Sequence, residues 1–163
     1  MKSIYENFKD ITYGIKNLIV WFPVIWNDYN WDHNSIFSIL QFKLKIMEKA
    51  FRSKKSCSMG SDKRADEMKI CINILERLIK EEYDMEEWER HEKKWGGLDI
   101  SFEKVDENWS KMNGSWKNVK TPEDSKQERK EFRIGVNKSE ARHNYDLEYL
   151  FNYMRKHIRT WWD

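Results

Sequence analysis

Two groups of side chains have the types and spacing that chemistry would need, one near each end of the chain. Their aromatic rings could stack on the base of a nucleotide, and their guanidinium groups could hold a phosphate through paired hydrogen bonds. These groups together define nine candidate ligand-binding residues, which are Trp26, Asp28, Trp31, Asp32, His33, Arg155, His157, Arg159 and Trp162.

The first group also has a purely structural interpretation. Asp28 and Asp32 lie where one predicted helix ends and the next begins, so either carboxylate could cap the second helix. The same carboxylates could accept hydrogen bonds from the indole N–H of Trp26 or Trp31, since buried tryptophans generally find an acceptor. The sequence leaves the binding role and the structural role of these acids open.

The second group has a structural interpretation as well. Arg155 and Arg159 could form ion pairs with Asp146 or Glu148 on a solvated helix face, because exposed helical ion pairs are common. The aromatic pair Trp161-Trp162 closes a strongly periodic helix, and we expect it to dock on the core rather than fray.

Histidines and acids suggest a metal site, but with few ligands. Glu87 and His91 are one helical turn apart, and Asp28, Asp32 and His33 could add oxygen and nitrogen ligands. Zinc requires at least three converging ligands, and the sequence has no His-Glu-x-x-His motif, no glycine-rich phosphate loop and no Gly-x-Ser-x-Gly motif. The sequence therefore predicts no metal and no cofactor, and it favours a binding protein over an enzyme.

Composition narrows the class of protein. The chain has 163 residues, 39% of them hydrophobic, which suits one domain over residues 1–163. The 30 Lys and Arg nearly balance the 28 Asp and Glu, which argues against general DNA binding. Cys57 and Cys71 form no recognisable disulfide or zinc pattern, and no stretch is long and apolar enough for a membrane span. These features predict a soluble cytoplasmic protein.

Hydrophobic periodicity predicts helices in the first half of the chain over residues 4–20, 35–51 and 61–83. Pro23 is expected to end the first helix and open a turn, because proline disfavours helix at the residue before it. The charged run Glu81–Lys94 is expected to extend the third helix, which should stop at Gly96-Gly97.

The second half is predicted to begin with a β-hairpin at about residues 98–119 that turns at Asn113-Gly114. Thr121-Pro122 is expected to open a helix, and Gly135–Ser139 to separate it from a last helix that starts near Glu140. The predicted fold class is mainly α, a bundle of four to five helices with a small β-hairpin insertion.

Several stretches resemble a family of small uncharacterised proteins encoded by tailed bacteriophages and prophages. The resemblance begins with W-N-D-Y-N-W-D-H at 26–33 and L-Q-F-K-L-K-I-M-E-K-A-F at 40–51. It continues with M-K-I-C-I-N-I-L-E-R-L-I-K-E-E-Y at 68–83, K-K-W-G at 93–96 and D-L-E-Y-L-F-N-Y-M-R-K-H-I-R-T-W-W-D at 146–163. It implies a viral accessory protein acting in the host cytoplasm, and it implies no known activity.

Aromatic and basic residues without catalytic machinery, together with this resemblance, predict a non-enzymatic phage accessory protein. We expect it to bind a host-derived ligand, with a nucleotide-like immune signal, sequestered intact, as the most concrete candidate. Such pockets often form at subunit interfaces, so a homo-oligomer is also expected. Two alternatives stay open. One is a protein-binding module that inhibits a host protein through exposed tryptophans, and the other is a metal-dependent hydrolase built around His33 or His91.

Overall fold

The structure is a computed structural model, which describes residues 4–26, 32–53 and 60–161 and, within them, the side chains from residue 8 onward. These ranges contain five α-helices and one two-stranded antiparallel sheet, which confirms the predicted mainly α fold with a small hairpin. The elements are α1 Ile4–Ile25, α2 Asn34–Phe51, α3 Ser61–Lys80, α4 Met85–Trp95, β1 Leu98–Lys104, β2 Ser110–Trp116 and α5 Pro122–His157, followed by a short 3-10 turn at Ile158–Thr160.

The chain divides into two compact units. Unit 2 is Glu81–Glu148, and unit 1 comprises the described residues before and after it. Helix α5 therefore belongs to unit 2 up to Glu148 and to unit 1 from Tyr149 onward. The prediction of a single domain over residues 1–163 stays a prediction. Within the described ranges, none of the helices combines the length and apolar character that crossing a membrane requires.

The core of unit 1 lies along α2 and α3. Six apolar residues mark one face of the predicted third helix, and five of them are buried, namely Ala65, Met68, Ile72, Leu75 and Leu78, whereas Ile79 is half-buried. From α2, Phe37, Leu44 and Phe51 are buried, and from the C-terminal segment Leu150, Met154 and Trp161. The Gln41 side chain also donates to the carbonyl of Ile72 at 3.2 Å, which joins α2 to α3.

Helix α1 is longer than predicted, because it continues through Pro23 to Ile25. The expectation that Pro23 ends the helix is wrong. The proline lacks one N–H and therefore removes one hydrogen bond of the helix, which continues for only two more residues. The N–H of Trp26 still donates to the Phe22 carbonyl at 2.9 Å.

Helix α3 is shorter than predicted, because it ends at Lys80 and α4 is a separate helix. The predicted extension through Glu81–Lys94 is wrong. Glu81 has a φ of 52°, in the left-handed region, and a residue there cannot continue a right-handed helix. The predicted stop at Gly96 is confirmed, with a φ of 80° and an N–H that donates to the Glu92 carbonyl at 2.8 Å.

The hairpin is present, but its predicted turn is wrong. Asn113 and Gly114 lie inside β2, where they pair with Ser101 and Ile100. The connection is instead the loop at residues 105–109. Its first acid, Asp106, accepts the backbone N–H groups of Asn108 and Trp109 at 2.8 Å each. A side-chain-stabilised loop therefore fixes the register, and the Asn-Gly signal does not.

Helix α5 is continuous, and the predicted break at Gly135–Ser139 is wrong. Its predicted start is confirmed. The Thr121 hydroxyl accepts the N–H of Asp124 at 3.0 Å, and the Asp124 carboxylate accepts the N–H of Thr121 at 2.9 Å, as in a capping box. These hydrogen bonds lower the pKa of Asp124. Gly135 lies inside the helix and faces α4, where an added Cβ would make ordinary contact with the Glu87 Cβ at 3.4 Å.

Candidate functional site

A cleft of about 430 Å³ lies between α4 and α5 within unit 2, and we call it the α4–α5 cleft. Its apolar and small lining residues are Trp88, Phe132, Ile134, Gly135, Val136 and Ser139. Its ionisable lining residues are Asp84, Glu87, Arg90, His91, Lys94, Glu131 and Lys138. A largely apolar cleft of this volume, with a few convergent polar groups, is the usual form of a small-molecule site.

The sequence of α5 explains why one of its faces forms a wall of this cleft. Residues on that face step by four, three, four, three and four along the helix, which places them in one row: Glu128, Phe132, Gly135, Ser139, Arg142 and Asp146. In the middle of this row, Gly135 and Ser139 have small side chains or none, which leaves space beside the helix. The Ser139 hydroxyl is turned back onto its own helix and donates to the Gly135 carbonyl at 3.2 Å. Helix α4 can therefore approach α5 closely at this point.

A buried hydrogen-bonded pair lies at the cleft. The Nε2 of His91 donates to the Oε1 of Glu128 at 3.0 Å, and both side chains are buried. Aromatic rings surround the imidazole, with Trp116 at 4.6 Å and Phe132 at 5.3 Å between ring centroids. Because Glu128 fixes the ring through one nitrogen, His91 is held in one orientation and its polar edge is a fixed element of the site.

Two arginines neutralise the buried carboxylate of Glu87. Arg142 donates to its Oε1 at 2.8 Å, and Arg90 donates to its Oε2 at 2.5 Å. The neighbouring Glu86 accepts from the same two guanidinium groups at 3.0 and 3.1 Å. This four-residue network joins α4 to α5, and it satisfies the charge that burial of Glu87 would otherwise leave uncompensated.

Glu131 anchors the other end of α4. Its carboxylate accepts from Lys94 at 2.5 Å, from Gln127 at 3.0 Å and from the indole N–H of Trp95 at 2.9 Å. The hydrogen bond from Lys94 is the main cause that lowers the pKa of Glu131 to about 2. Glu131 therefore stays ionised at any physiological pH and fixes both Lys94 and Trp95.

Aromatic side chains form a continuous cluster along the cleft. Trp88 lies 5.3 Å from Trp116 and 6.3 Å from Phe132, measured between ring centroids. Trp116 is buried, whereas Trp88 and Phe132 are about 40% exposed. The partly exposed rings of Trp88 and Phe132, together with the buried ring of Trp116, form a surface on which a planar apolar group could stack.

The N-terminal candidates that the structure describes, Trp26, Asp32 and His33, are not among the residues that line this cleft. Trp26 is 71% exposed and packs on Phe22 with 4.8 Å between centroids. The Asp32 carboxylate accepts the N–H of Asn34 at 2.9 Å, which is a structural role at the start of α2. His33 is exposed, with its ring 6.0 Å from that of Phe37. Three further candidates lie outside the described residues: Asp28, Trp31 and Trp162.

The C-terminal candidates divide between solvent and core. Arg155 and Arg159 are exposed, whereas His157 is half-buried and its Nδ1 lies 3.1 Å from the Oε1 of Glu67. The other oxygen of Glu67 accepts the indole N–H of Trp161 at 3.0 Å, and Trp161 is buried. The expected docking of Trp161 is confirmed, and the contact of His157 with Glu67 gives this candidate a structural role that the sequence did not indicate.

The proposed metal ligands are engaged elsewhere. Glu87 is paired with arginines and His91 with Glu128. In the part of the chain that the structure describes, no group of three or more His, Cys, Asp or Glu side chains is arranged to hold a metal ion.

Sequence reasoning did not connect Trp88, Phe132 and Glu128. The signal that could have found them is the alternating spacing of four and three along α5, which continues through Gly135 and Ser139. That spacing was obscured because a glycine in a polar segment resembles a helix break.

Comparison with protein-family models, with curated protein sequences and with solved structures gives no match for this chain.

Proposed function

We propose that the protein is a non-enzymatic binding protein and that the α4–α5 cleft holds its ligand. The observation that carries this proposal is a cleft of about 430 Å³ whose walls combine half-open aromatic rings with fixed polar groups. The hydrogen bonds and ion pairs that position Glu87, His91 and Glu131 keep these groups in place before a ligand arrives, so binding need not order them.

The lining indicates the class of ligand. Trp88 and Phe132 offer ring faces for a planar group, and the His91 edge can exchange a hydrogen bond with it. Lys138 contributes an ammonium group to the same cleft, which suits a phosphate or carboxylate, whereas Lys94 is already paired with Glu131. A nucleotide-like molecule combines both features. The proposed site therefore moves from the two ends of the chain to α4 and α5, while the proposed class of ligand stays the same.

We also propose that the protein acts for a bacteriophage inside its host. The resemblance to small bacteriophage proteins supports a phage accessory protein that binds a molecule made by the host. A protein that sequesters a signal needs a preformed pocket and no catalytic group, which is consistent with the paired state of Glu87, His91 and Glu131 in the cleft.

Thermal unfolding with a panel of linear and cyclic nucleotides tests this proposal. A ligand that binds the folded state raises Tm according to its concentration relative to Kd, and it is recovered unchanged after denaturation. The variant Phe132→Ala should lose the shift, because it removes one ring face of the cleft. Phe102→Ala is the matched control, since Phe102 lies in β1 of the same unit and is 71% exposed.

The control should keep the full shift in Tm. A panel in which no compound changes Tm contradicts the proposal, and so does an equal shift in wild type and Phe132→Ala. Conversion of a nucleotide during incubation would contradict the non-enzymatic part.

A further inference from the structure

Helix α1 carries an apolar row at coiled-coil spacing, which we call the α1 seam. Its residues step by three, four, three, four and three, and they are Phe8, Ile11, Ile15, Leu18, Phe22 and Ile25. This is the alternation of a and d positions in a heptad repeat, with Phe8, Ile15 and Phe22 equivalent to each other. A seam with this period matches another α-helix, because its side chains can fit between those of a partner helix of the same pitch.

The α1 seam is open in the described part of the chain. Its six side chains are between 50% and 70% exposed, from Ile25 to Phe8. Ile19 and Trp26 flank the seam and are exposed to a similar degree, at 69% and 71%. The contact of α1 with α2 lies to one side of the seam, where Trp21 meets Phe42 at 5.2 Å between ring centroids.

We propose that the α1 seam pairs with the α1 seam of a second copy of this chain. The area supports this occupant. Eight large apolar side chains, each at least half exposed, present a surface on the order of the ~800 Å² that each partner buries in an ordinary specific interface. A patch on the surface of a monomeric protein rarely exceeds a few hundred square ångströms.

The charge pattern of α1 permits pairing with a second copy. Positions beside a coiled-coil seam usually carry the charges that choose a partner. In α1 these positions hold uncharged residues, which are Thr12, Gly14, Ile19, Trp21 and Trp26. Two copies therefore meet no like-charge repulsion along the seam, and no charge selects a foreign helix.

Analytical ultracentrifugation of the full chain over a range of concentrations tests the pairing. Wild type should sediment at twice the chain mass of 20.1 kDa. The double variant Ile15→Glu/Leu18→Glu should sediment as a monomer, because it places four carboxylates in the middle of the paired seams. Both side chains are exposed within one chain, so the circular dichroism spectrum of the variant should match wild type.

Tyr13→Glu is the matched control. Tyr13 is 66% exposed on the opposite side of α1, so this variant should keep the dimer mass. A wild-type monomer at every concentration overturns the proposal, and so does a dimer that survives the double variant or is lost in the control. A monomer that binds lipid vesicles through α1 would assign the seam to a membrane surface instead. These variants lie in unit 1, and the residues that line the α4–α5 cleft lie in unit 2, so the sedimentation experiment and the nucleotide experiment test different residues.

Discussion

Glu67 is a buried acid of α3 that contacts two residues of the C-terminal segment, Trp161 and His157. Its buried carboxylate receives the indole N–H of Trp161 and lies 3.1 Å from the imidazole of His157. Tyr153 stacks on that imidazole with 4.3 Å between ring centroids. One acid of α3 therefore holds both Trp161 and His157 in place, which gives His157 a structural role.

We expect Glu67→Ala to lower the free energy of unfolding by about 1 to 3 kcal/mol, because it leaves the buried indole N–H of Trp161 without an acceptor. Urea unfolding followed by circular dichroism measures the change. Glu76→Ala is the matched control in the same helix, where Glu76 is 53% exposed beside Lys80, and its effect should stay within about 0.5 kcal/mol. Equal losses in the two variants would show that the Trp161 anchor contributes nothing.

Cys71 gives a prediction that depends on pH. Burial, with a smaller contribution from the charge of Glu67, raises the pKa of its thiol from 9.0 to about 11. A raised pKa in the folded state means that stability is fully present below pH 9 and falls as pH rises toward 11. At pH 8 we expect iodoacetamide to alkylate Cys71 only after denaturation, as read by peptide mass spectrometry. Rapid alkylation of the folded protein at Cys71 would show that the thiol is accessible.

At the scale of elements, periodic apolar residues predicted the helices well, whereas breaks and turns were predicted poorly. The α3 face was largely correct because five of its six predicted residues are buried in one core and the sixth, Ile79, is half-buried. The break at Gly135 failed because a glycine can serve close helix packing as well as a helix end, and the two uses look alike in sequence. The Asn113-Gly114 turn failed because Asp106 stabilises a different loop through its side chain.

The start of α5 can be tested alone. Thr121→Ala removes the hydroxyl that accepts the N–H of Asp124, so we expect a loss of about 1 kcal/mol in the free energy of unfolding. Thr12→Ala is the matched control, since the Thr12 hydroxyl donates to the Phe8 carbonyl inside α1 and satisfies no N–H at a helix end. This control should be neutral or slightly stabilising in the same urea titration. A larger loss for Thr12→Ala than for Thr121→Ala would contradict the capping role.

At the scale of the whole molecule, the sequence indicated the kind of chemistry but not its location. The ligand site was predicted at the two ends because the tryptophans and arginines of each group are close together along the chain. The α4–α5 cleft depends instead on pairs such as His91 with Glu128 and Trp95 with Glu131, which lie 37 and 36 positions apart. No local motif encodes such a pairing, so the cleft emerges only when α4 and α5 are placed side by side.

The two locations can be distinguished by following individual indole N–H signals in two-dimensional NMR. Trp88→Phe and Trp26→Phe assign the signals of the cleft and of the N-terminal candidate stretch. Both rings are partly or largely exposed, so neither substitution should disturb the core.

Titration with the nucleotide that raises Tm most is the direct test of the central claim. The α4–α5 cleft predicts that the Trp88 signal moves progressively to saturation while the Trp26 signal stays in place. Movement of the Trp26 signal with Trp88 unchanged would contradict this site and return the ligand to the N-terminal stretch.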